Sequence, residues 1–362
     1  MGERPARPGL GGCVGDALFA CEVRRIDPAV DSSFWLARAI HAFNARGSGP
    51  TLHHGLAGLG FVLAVHADAE DHLAKIDRAL LGSLASLPPA SMQGGLAGLA
   101  LYASLRSGAE SGQRLQQHIV ETFAAAARRT DGGLVWDTPV AYARSRGIDV
   151  HGELVTELGM VHGISGALVA LSALAAQGQS GAAALAQAGL RAAWTFERPG
   201  PNRFGRVEFG PHGADGTREF DDRRWCVADP GILRALWVTA TTLGDTEFAE
   251  RALGYLREDA AHDAAGALPG EGGRIDLCCG CGIVAQVYRR MYLETGDTVF
   301  LAAKDRLLGV CADRVTQLAS HGFTYGRAGV LLALLAGDDT QDDSVWDAML
   351  GVSLPKKLAA LA

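Results

Sequence analysis

No apolar run in this sequence reaches the length of a membrane span. A spanning helix needs about 20 consecutive, mostly apolar residues, and the 362-residue chain contains no such stretch. The opening segment, MGERPARPGLGG, has no apolar region behind its arginines, so we predict that no secretory signal is present. We therefore expect a cytoplasmic protein that does not insert into a membrane.

Basic residues are not in excess either. The chain has 33 Lys and Arg against 40 Asp and Glu, which gives a net charge of −7. Because binding to phosphate backbones needs clustered cations, this balance argues against nucleic acid as the main partner. Hydrophobic residues make up 48% of the chain and charged residues 20%, which is enough apolar surface for a large core.

Alternating β-branched patterns, which are typical of strands, are scarce, and six short glycine motifs recur instead. An apolar segment of helical character follows each motif. The motifs begin at His54, Gly95, His162, Pro230, Cys279 and Gly326. Their first glycines lie 40, 68, 68, 49 and 46 residues apart, and Gly9 to Ala20 resembles a degenerate seventh unit. A unit that recurs at this spacing indicates a repeat architecture.

Amphipathic stretches alternate with these apolar segments, as Ser111 to Arg129 and Asp245 to Arg257 illustrate. A helix that is apolar all round is buried on more than one side, whereas an amphipathic helix keeps one face in water. Six to seven such helix pairs can close into a ring in which every inner helix starts on the same face. We therefore predict an all-α fold, a double-layered helical barrel that residues 1–362 form as a single domain.

Two long stretches, Asp131 to Gly159 and Arg198 to Trp225, interrupt the repeat. Loops of this length inside a compact domain are usually functional or mobile. They precede the third and fourth motifs, so we expect them to border the mouth of the ring. Plain solvated insertions are the alternative.

The seven cysteines are an odd number in a long chain and do not indicate a disulfide scaffold. Three of them, Cys278, Cys279 and Cys281, fall within four positions. In a reducing compartment such a group is more typical of metal ligands or reactive thiols. We assign Cys281 to packing.

The candidate ligands occupy similar positions in their repeat units, so we expect them to lie close together in the ring. Cys279 stands one residue before its motif glycine, as His162 and His54 do, and equivalent positions share one level at the mouth of the ring. Cys226 and Cys278 lie within a few residues of that level. Catalytic zinc takes three protein ligands and keeps one exchangeable position. We predict one zinc ion bound by Cys226, Cys278 and Cys279; the alternative is that these cysteines only fill crowded turns.

Four segments, taken in order, resemble the motifs of the lanthionine synthetase C-like family. They are GMVHGISG (159–166), WCVADPG (225–231), LCCGCG (277–282) and GFTYGRAG (322–329). Each motif alone is unspecific, but their combined order is specific, and the resemblance spans most of the chain.

The resemblance implies an α/α toroid of seven inner and seven outer helices, with one zinc ion at Cys226, Cys278 and Cys279. Members of the cyclase branch add a peptide cysteine to a dehydroalanine or dehydrobutyrine of the same peptide, and the product is a lanthionine or methyllanthionine thioether ring. The implied partner is a dehydrated precursor peptide. A lanthipeptide dehydratase is a further candidate partner.

His162 is the acid/base residue that the resemblance implies. The addition produces an enolate that must be protonated at Cα, and imidazole, with an unperturbed pKa of about 6.5, is suited to this transfer. His53 and His54 are more typical of structural histidines.

The three residues that directly precede Cys226 are candidates for peptide binding: Arg223, Arg224 and Trp225. Trp225 is also placed to pack beside the zinc loop. Tyr325 either lines the cavity or fills core.

The surroundings of His162 depart from the family pattern. Ser91 occupies the position of a usual aspartate and Asp222 that of a usual arginine, while Val227 and Ala228 replace an aromatic residue and a glycine. Asp276 or Asp222 could replace the missing aspartate in space. Three interpretations follow: a cyclase with a rearranged acid/base environment, a zinc enzyme that adds another thiol such as glutathione to dehydroamino acids, or a non-catalytic peptide-binding subunit of a peptide-modification complex.

Overall fold

The glycine-led apolar segments form the inner layer of helices. The computed structural model describes residues 8–67, 69–220, 223–269, 273–337 and 344–356. Seven inner helices are α1 (Cys13–Ile26), α3 (Leu56–His66), α5 (Leu96–Ser104), α8 (Ile164–Ala176), α10 (Asp229–Leu243), α12 (Cys281–Thr295) and α14 (Arg327–Gly337). The degenerate unit at Gly9 to Ala20 is therefore a true repeat, since it contains the start of α1.

Amphipathic helices form the outer layer. They are α2 (Ser32–Arg46), α4 (Glu70–Leu81), α6 (Glu110–Ala126), α9 (Ala182–Trp194), α11 (Thr246–Ala264) and α13 (Thr298–Arg314). Together the two layers make a helical toroid, as predicted. None of the helices placed by the structure has both the length and the apolar character needed to cross a bilayer.

Backbone hydrogen bonds join the turns that precede consecutive inner helices. The N–H to O=C pairs are Leu10 to His53 (2.8 Å), His53 to Gln93 (3.3 Å), Met92 to Val161 (2.9 Å), Val161 to Cys226 (3.2 Å), Leu277 to Thr324 (3.0 Å) and Phe323 to Leu10 (3.2 Å). The last pair links the final unit back to the first. No such bond joins the turns before α10 and α12 among the described residues, and contacts between these two helices complete the ring. All inner-helix starts consequently lie at one mouth.

One glycine at the start of each inner helix is required by a close backbone approach. A Cβ atom at Gly58 would lie 2.1 Å from the carbonyl oxygen of Leu52, and one at Gly231 would lie 2.0 Å from that of Trp225. The same contact recurs in the other units at Gly15, Gly98, Gly166, Gly282 and Gly329. The glycine motif is thus the sequence signature of the turn that starts each inner helix.

The two long interruptions form a small substructure with its own apolar cluster. The hairpin of β1 (Arg128–Thr130) and β2 (Gly133–Val135) leads into the first interruption, which also contains the short helix α7 (Val140–Ser145). An antiparallel sheet, ordered β3-β4-β5, combines strands from both interruptions: β3 (Val155–Glu157), β4 (Arg206–Phe209) and β5 (Gly216–Glu219). A separate apolar cluster that includes Ala143, Val155 and Phe209 holds α7 against this sheet.

The chain after α14 differs from the expected seventh outer helix. Among the described residues 344–356 there is only a short 3₁₀ helix, Trp346–Leu350, and it is fully buried. Asp347 bonds Arg290 of α12 at 2.5 Å, and Trp346 packs edge-on against Phe323. Arg234 of α10 donates to the backbone of this segment. Contacts to several units of the ring place the segment across its interior, where an apolar sequence is stabilised by burial.

Candidate metal centre

Three thiols meet at the starts of α10 and α12. The Sγ atom of Cys279 lies 3.7 Å from that of Cys226 and 3.6 Å from that of Cys278. All three atoms lie within 4.8 Å of one another, and this is the one such group of possible metal ligands found in the described residues. Cys226 and Cys278 are buried, while Cys279 is partly exposed.

This spacing fits a tetrahedral zinc ion. A Zn–S bond of about 2.3 Å in tetrahedral geometry separates two sulfur atoms by roughly 3.8 Å. The two closest Sγ–Sγ distances, 3.6 and 3.7 Å, are near that value. The donor set is soft thiolate, which zinc accepts and which magnesium or calcium does not. The residues present therefore fit zinc with three protein ligands and one open position.

Asp276 shapes the turn that carries two of the thiols. Its Oδ1 accepts hydrogen bonds from the backbone N–H groups of Cys278 and Cys279, both at 2.9 Å. Its Oδ2 accepts from Nε of Arg274 at 2.6 Å. An aspartate that accepts from amides two and three residues ahead forms an Asx turn, and this turn directs adjacent cysteines toward one point.

The thiols also interact electrostatically. Hydrogen bonds from Cys226 and Cys278, with a smaller contribution from the cations of Arg274 and Arg224, lower the pKa of Cys279 to about 3. The pKa of Cys226 is raised well above its usual value, because its thiol forms hydrogen bonds with Cys278 and Cys279 and because it is buried. The cluster therefore favours one thiolate even before a dication is bound.

Aromatic and basic residues border this centre. Tyr325 is 44% exposed and lies beside Cys278, and burial together with the Cys278 thiol raises its pKa. The guanidinium of Arg274 lies 5.9 Å from the centroid of the Tyr325 ring. Of the two alternatives for Tyr325, the structure thus supports a cavity-lining position. Arg224 stands over Phe220 at 5.5 Å and acts on Cys279 through its charge.

The other two candidates for peptide binding are more enclosed. Trp225 is 2% exposed and packs beside the turn before α10. Arg223 donates to Asp263 at 2.6 Å and forms an ion pair with Asp259 at 3.1 Å. Burial raises the pKa of Asp259 to about 7, although Arg223 opposes this shift. Contact of Trp225 or Arg223 with a peptide stays a prediction, and Asp222 lies outside the described residues.

His162 stands one turn along the ring from the thiols. The N–H of Val161 donates to the carbonyl of Cys226 at 3.2 Å, which makes the two turns neighbours. Nδ1 of His162 lies 3.2 Å from Oγ of Ser91 and 3.3 Å from Oη of Tyr142. Burial lowers the pKa of His162 well below its usual value, and the charges of Arg146 and His53 act in the same direction. The imidazole is therefore neutral near pH 7.

Ser91 thus lies against His162, where the family resemblance places an aspartate. Asp276, considered as a replacement, has its carboxylate in the cysteine turn instead. His53 is buried, and this burial lowers its pKa to about 3, with a smaller contribution from the charge of the neighbouring His54. The side chain of His54 is exposed. The structural role of both histidines stays a prediction.

Sequence reasoning missed Tyr142 and the role of Asp276. Asp276 carried a usable signal, because an aspartate two residues before a functional position often forms an Asx turn. No sequence pattern marks Tyr142; it lies only within the interruption that was expected to border the mouth.

Comparisons with known proteins agree with this architecture. The family model described as lanthionine synthetase C-like protein matches residues 12–350. No curated protein matches the sequence. Among solved structures, the chain is similar to a protein titled nisin cyclase, with a TM-score of 0.76 and 16% sequence identity over 97% of this chain and 93% of that chain. At this identity the likeness shows the fold.

Proposed function

The chain belongs to the lanthionine synthetase C-like family, and on that premise we propose that it is a zinc-dependent lanthipeptide cyclase. The substrate is a dehydrated precursor peptide that contains cysteine and either dehydroalanine or dehydrobutyrine. The cysteine sulfur adds to Cβ of the dehydro residue and forms a thioether ring. The observation that carries the proposal is the group of three thiols, spaced for zinc, one of which, Cys226, lies on the turn next to that of His162.

Zinc in this centre would supply thiol activation. Cys226, Cys278 and Cys279 would hold the ion, which would lower the pKa of a substrate thiol so that thiolate forms near neutral pH. Side chains of the protein stabilise the developing charge and deliver the proton. Arg224 and Arg274 place positive charge beside the thiols, which stabilises the anionic substrate sulfur and the enolate that follows.

Proton delivery is assigned to His162. Addition of sulfur at Cβ leaves an enolate whose Cα must receive a proton. His162 lies on the neighbouring turn, and its Nδ1 is engaged by Ser91 and Tyr142. Nε2 is therefore the nitrogen available to reach the substrate. The substrate thiol loses one proton and Cα gains one, so the reaction consumes no net proton.

The partners and the compartment follow from this chemistry. A dehydratase must supply the dehydro residues, so we propose such an enzyme as the preceding catalyst and as a possible docking partner. All seven cysteines are free thiols in the structure, which agrees with a reducing compartment such as the cytoplasm.

A synthetic peptide with one dehydroalanine and one cysteine, incubated with the zinc-loaded protein, tests the proposal. Cyclisation does not change the peptide mass, so the readout is loss of the alkylatable thiol together with missing fragment ions inside the ring. We expect conversion that depends on both zinc and His162. Glutathione is included in a parallel reaction.

The alternatives give different products. A mass increase equal to glutathione, without a ring, would support addition of an external thiol and would overturn cyclisation. Binding of the peptide with no change in thiol or mass would support a non-catalytic peptide-binding subunit. Either result replaces the proposed function.

A further inference from the structure

One edge of the inserted sheet has no partner strand among the described residues. In the order β3-β4-β5, the outer strands are β3 and β5. The edge of β3 is covered, because that strand is buried and the N–H of Thr138 donates to the carbonyl of Val155 at 2.8 Å. All four residues of β5 are exposed instead. An exposed strand edge of this kind can accept a further strand.

The register of the sheet shows which backbone groups of β5 face outward. The N–H of Phe220, directly after β5, donates to the carbonyl of Gly205 at 2.9 Å, in register with the pairs of β4 and β5. Because hydrogen-bonded pairs alternate along antiparallel strands, Arg218 also bonds to β4. The N–H and C=O groups of Thr217 and Glu219 therefore point away from β4, toward the open edge.

The strand leads toward the metal centre. Phe220 lies between two arginines: the guanidinium of Arg218 is 5.7 Å and that of Arg224 is 5.5 Å from the centroid of its ring. Arg224 in turn acts on Cys279 through its charge. A peptide paired with β5 would therefore lie beside residues that border the thiols.

The charges along this edge favour an acidic peptide. Glu219 pairs with Arg198 at 3.0 Å, whereas Arg218 is exposed and has no ion pair with a carboxylate in the part of the chain that the structure describes. Arg224 and Arg274 continue the positive charge toward Cys279. Side chains that lie opposite each other on neighbouring strands project to the same face, so a carboxylate opposite Arg218 on an added strand would meet its guanidinium.

We propose that the outer edge of β5 binds an extended, acidic segment of the precursor peptide as a fourth strand and so guides the peptide to the metal centre. The inference rests on the proposed cyclase function, which makes a peptide the ligand. The backbone groups of Thr217 and Glu219 supply the affinity, and Arg218 selects a carboxylate. Main-chain pairing gives affinity, while individual side chains give specificity.

The first test uses the unchanged, zinc-loaded full chain and a fluorescein-labelled peptide that carries the segment Val-Glu-Val-Glu-Val before a dehydroalanine and a cysteine. When a glutamate lies opposite Arg218, the valine amides face β5 and the glutamate amides face away from it. N-methylation of the valine amides should raise Kd by about 10-fold or more. N-methylation of the glutamate amides should leave Kd unchanged.

Variants of the protein test the backbone and the charge separately. Thr217→Pro removes one outward N–H, which an edge strand tolerates, and should raise Kd by about 10-fold; Thr217→Val keeps the N–H and should bind like the parent. Arg218→Gln should raise Kd by about 2–5-fold. Arg114→Gln, the same charge change on the exposed face of α6, is the control. Zinc content and melting temperature should match the parent in all four variants.

Equal affinities of the two N-methylated peptides would overturn the proposal, and so would a segment that adds nothing to the affinity of the dehydroalanine and cysteine portion. A dimer that Thr217→Pro dissociates would also overturn it, because the edge would then pair with a second copy of the chain. Binding with the expected alternation but without cyclisation would refute the proposed function and leave the docking edge. Cyclisation to which the segment contributes nothing would do the reverse.

Discussion

Two parts of the toroid mouth are built differently: the metal half, which carries the three thiols, and the histidine half, which carries His162. Cys226, Cys278 and Cys279 lie in two repeat turns. Each turn is joined by a backbone hydrogen bond to its other neighbour in the ring, and Asp276 shapes the turn that carries Cys278 and Cys279. His162 also lies in a repeat turn, but its partner Tyr142 comes from an interruption of the repeat. The metal ligands therefore depend on the repeated geometry of the ring itself, whereas the acid/base group also depends on an inserted element.

The largest expected effect comes from removing one thiol. Cys279→Ala should retain less than roughly a tenth of the zinc, because each thiolate contributes strongly to structural and catalytic zinc affinity, and cyclisation should be lost with it. Zinc per chain is measured by elemental analysis. Cys281→Ala is the matched control: Cys281 is 1% exposed and packs against Cys311, with 3.9 Å between the Sγ atoms. Zinc that persists without Cys279, or disappears in both variants, would contradict this assignment.

The variant His162→Ala tests whether zinc binding and proton transfer depend on separate residues. Because the imidazole is not among the three grouped ligands, we expect a normal zinc content and cyclisation slowed by about 10²-fold or more. The exposed His54, changed to Ala, should leave both quantities unaltered. An unchanged rate in His162→Ala refutes the acid/base role, and a loss of zinc would show that the two halves are not separate.

Asp276→Ala examines how the metal half is positioned. Without the carboxylate, the N–H groups of Cys278 and Cys279 lose their acceptor, and zinc affinity should fall by about 10–100-fold. Competition with a chelator measures this change. Asp297→Ala is the control, since Asp297 accepts from the N–H of Val299 at the start of α13. Equal losses of affinity in both variants would mean that Asp276 acts on stability alone.

The smallest effect is expected from a methyl group at a repeat turn. Gly231→Ala places Cβ 2.0 Å from the carbonyl oxygen of Trp225, and such overpacking typically costs about 1–3 kcal/mol of unfolding free energy. Gly254→Ala, in open space within α11, should instead be neutral or stabilising by up to about 1 kcal/mol. Urea unfolding compares them. If both variants are equally stable, the repeat turns do not constrain the metal half.

The sequence allowed the ring and the thiols to be predicted because both follow the repeat. Glycine spacing identified the inner helices, and the place of Cys279 one residue before its motif glycine put it at the mouth. The buried course of the C-terminal segment was not predictable, since its apolar residues fit an outer helix equally well. Tyr142 was not predictable either: its contact with His162 spans 20 residues of irregular chain, and no periodicity fixes such a distance.

The same limit applies to departures from the family pattern. Ser91 could be recognised as the position of a missing carboxylate, but not as one of two hydroxyls that share Nδ1 of His162. That arrangement depends on the packing of α7 against the mouth. Spacing within a repeat therefore predicts ligands, whereas the partners that reach them from insertions become visible only in the three-dimensional structure.

Zinc K-edge X-ray absorption of the purified chain tests the central claim most directly. The three thiols predict one zinc per chain, with three sulfur neighbours at about 2.3 Å and one lighter atom in the open position, and a fourth sulfur after addition of a cysteine peptide. A protein that binds no zinc when supplied with it, or a first shell of oxygen and nitrogen alone, would contradict the account.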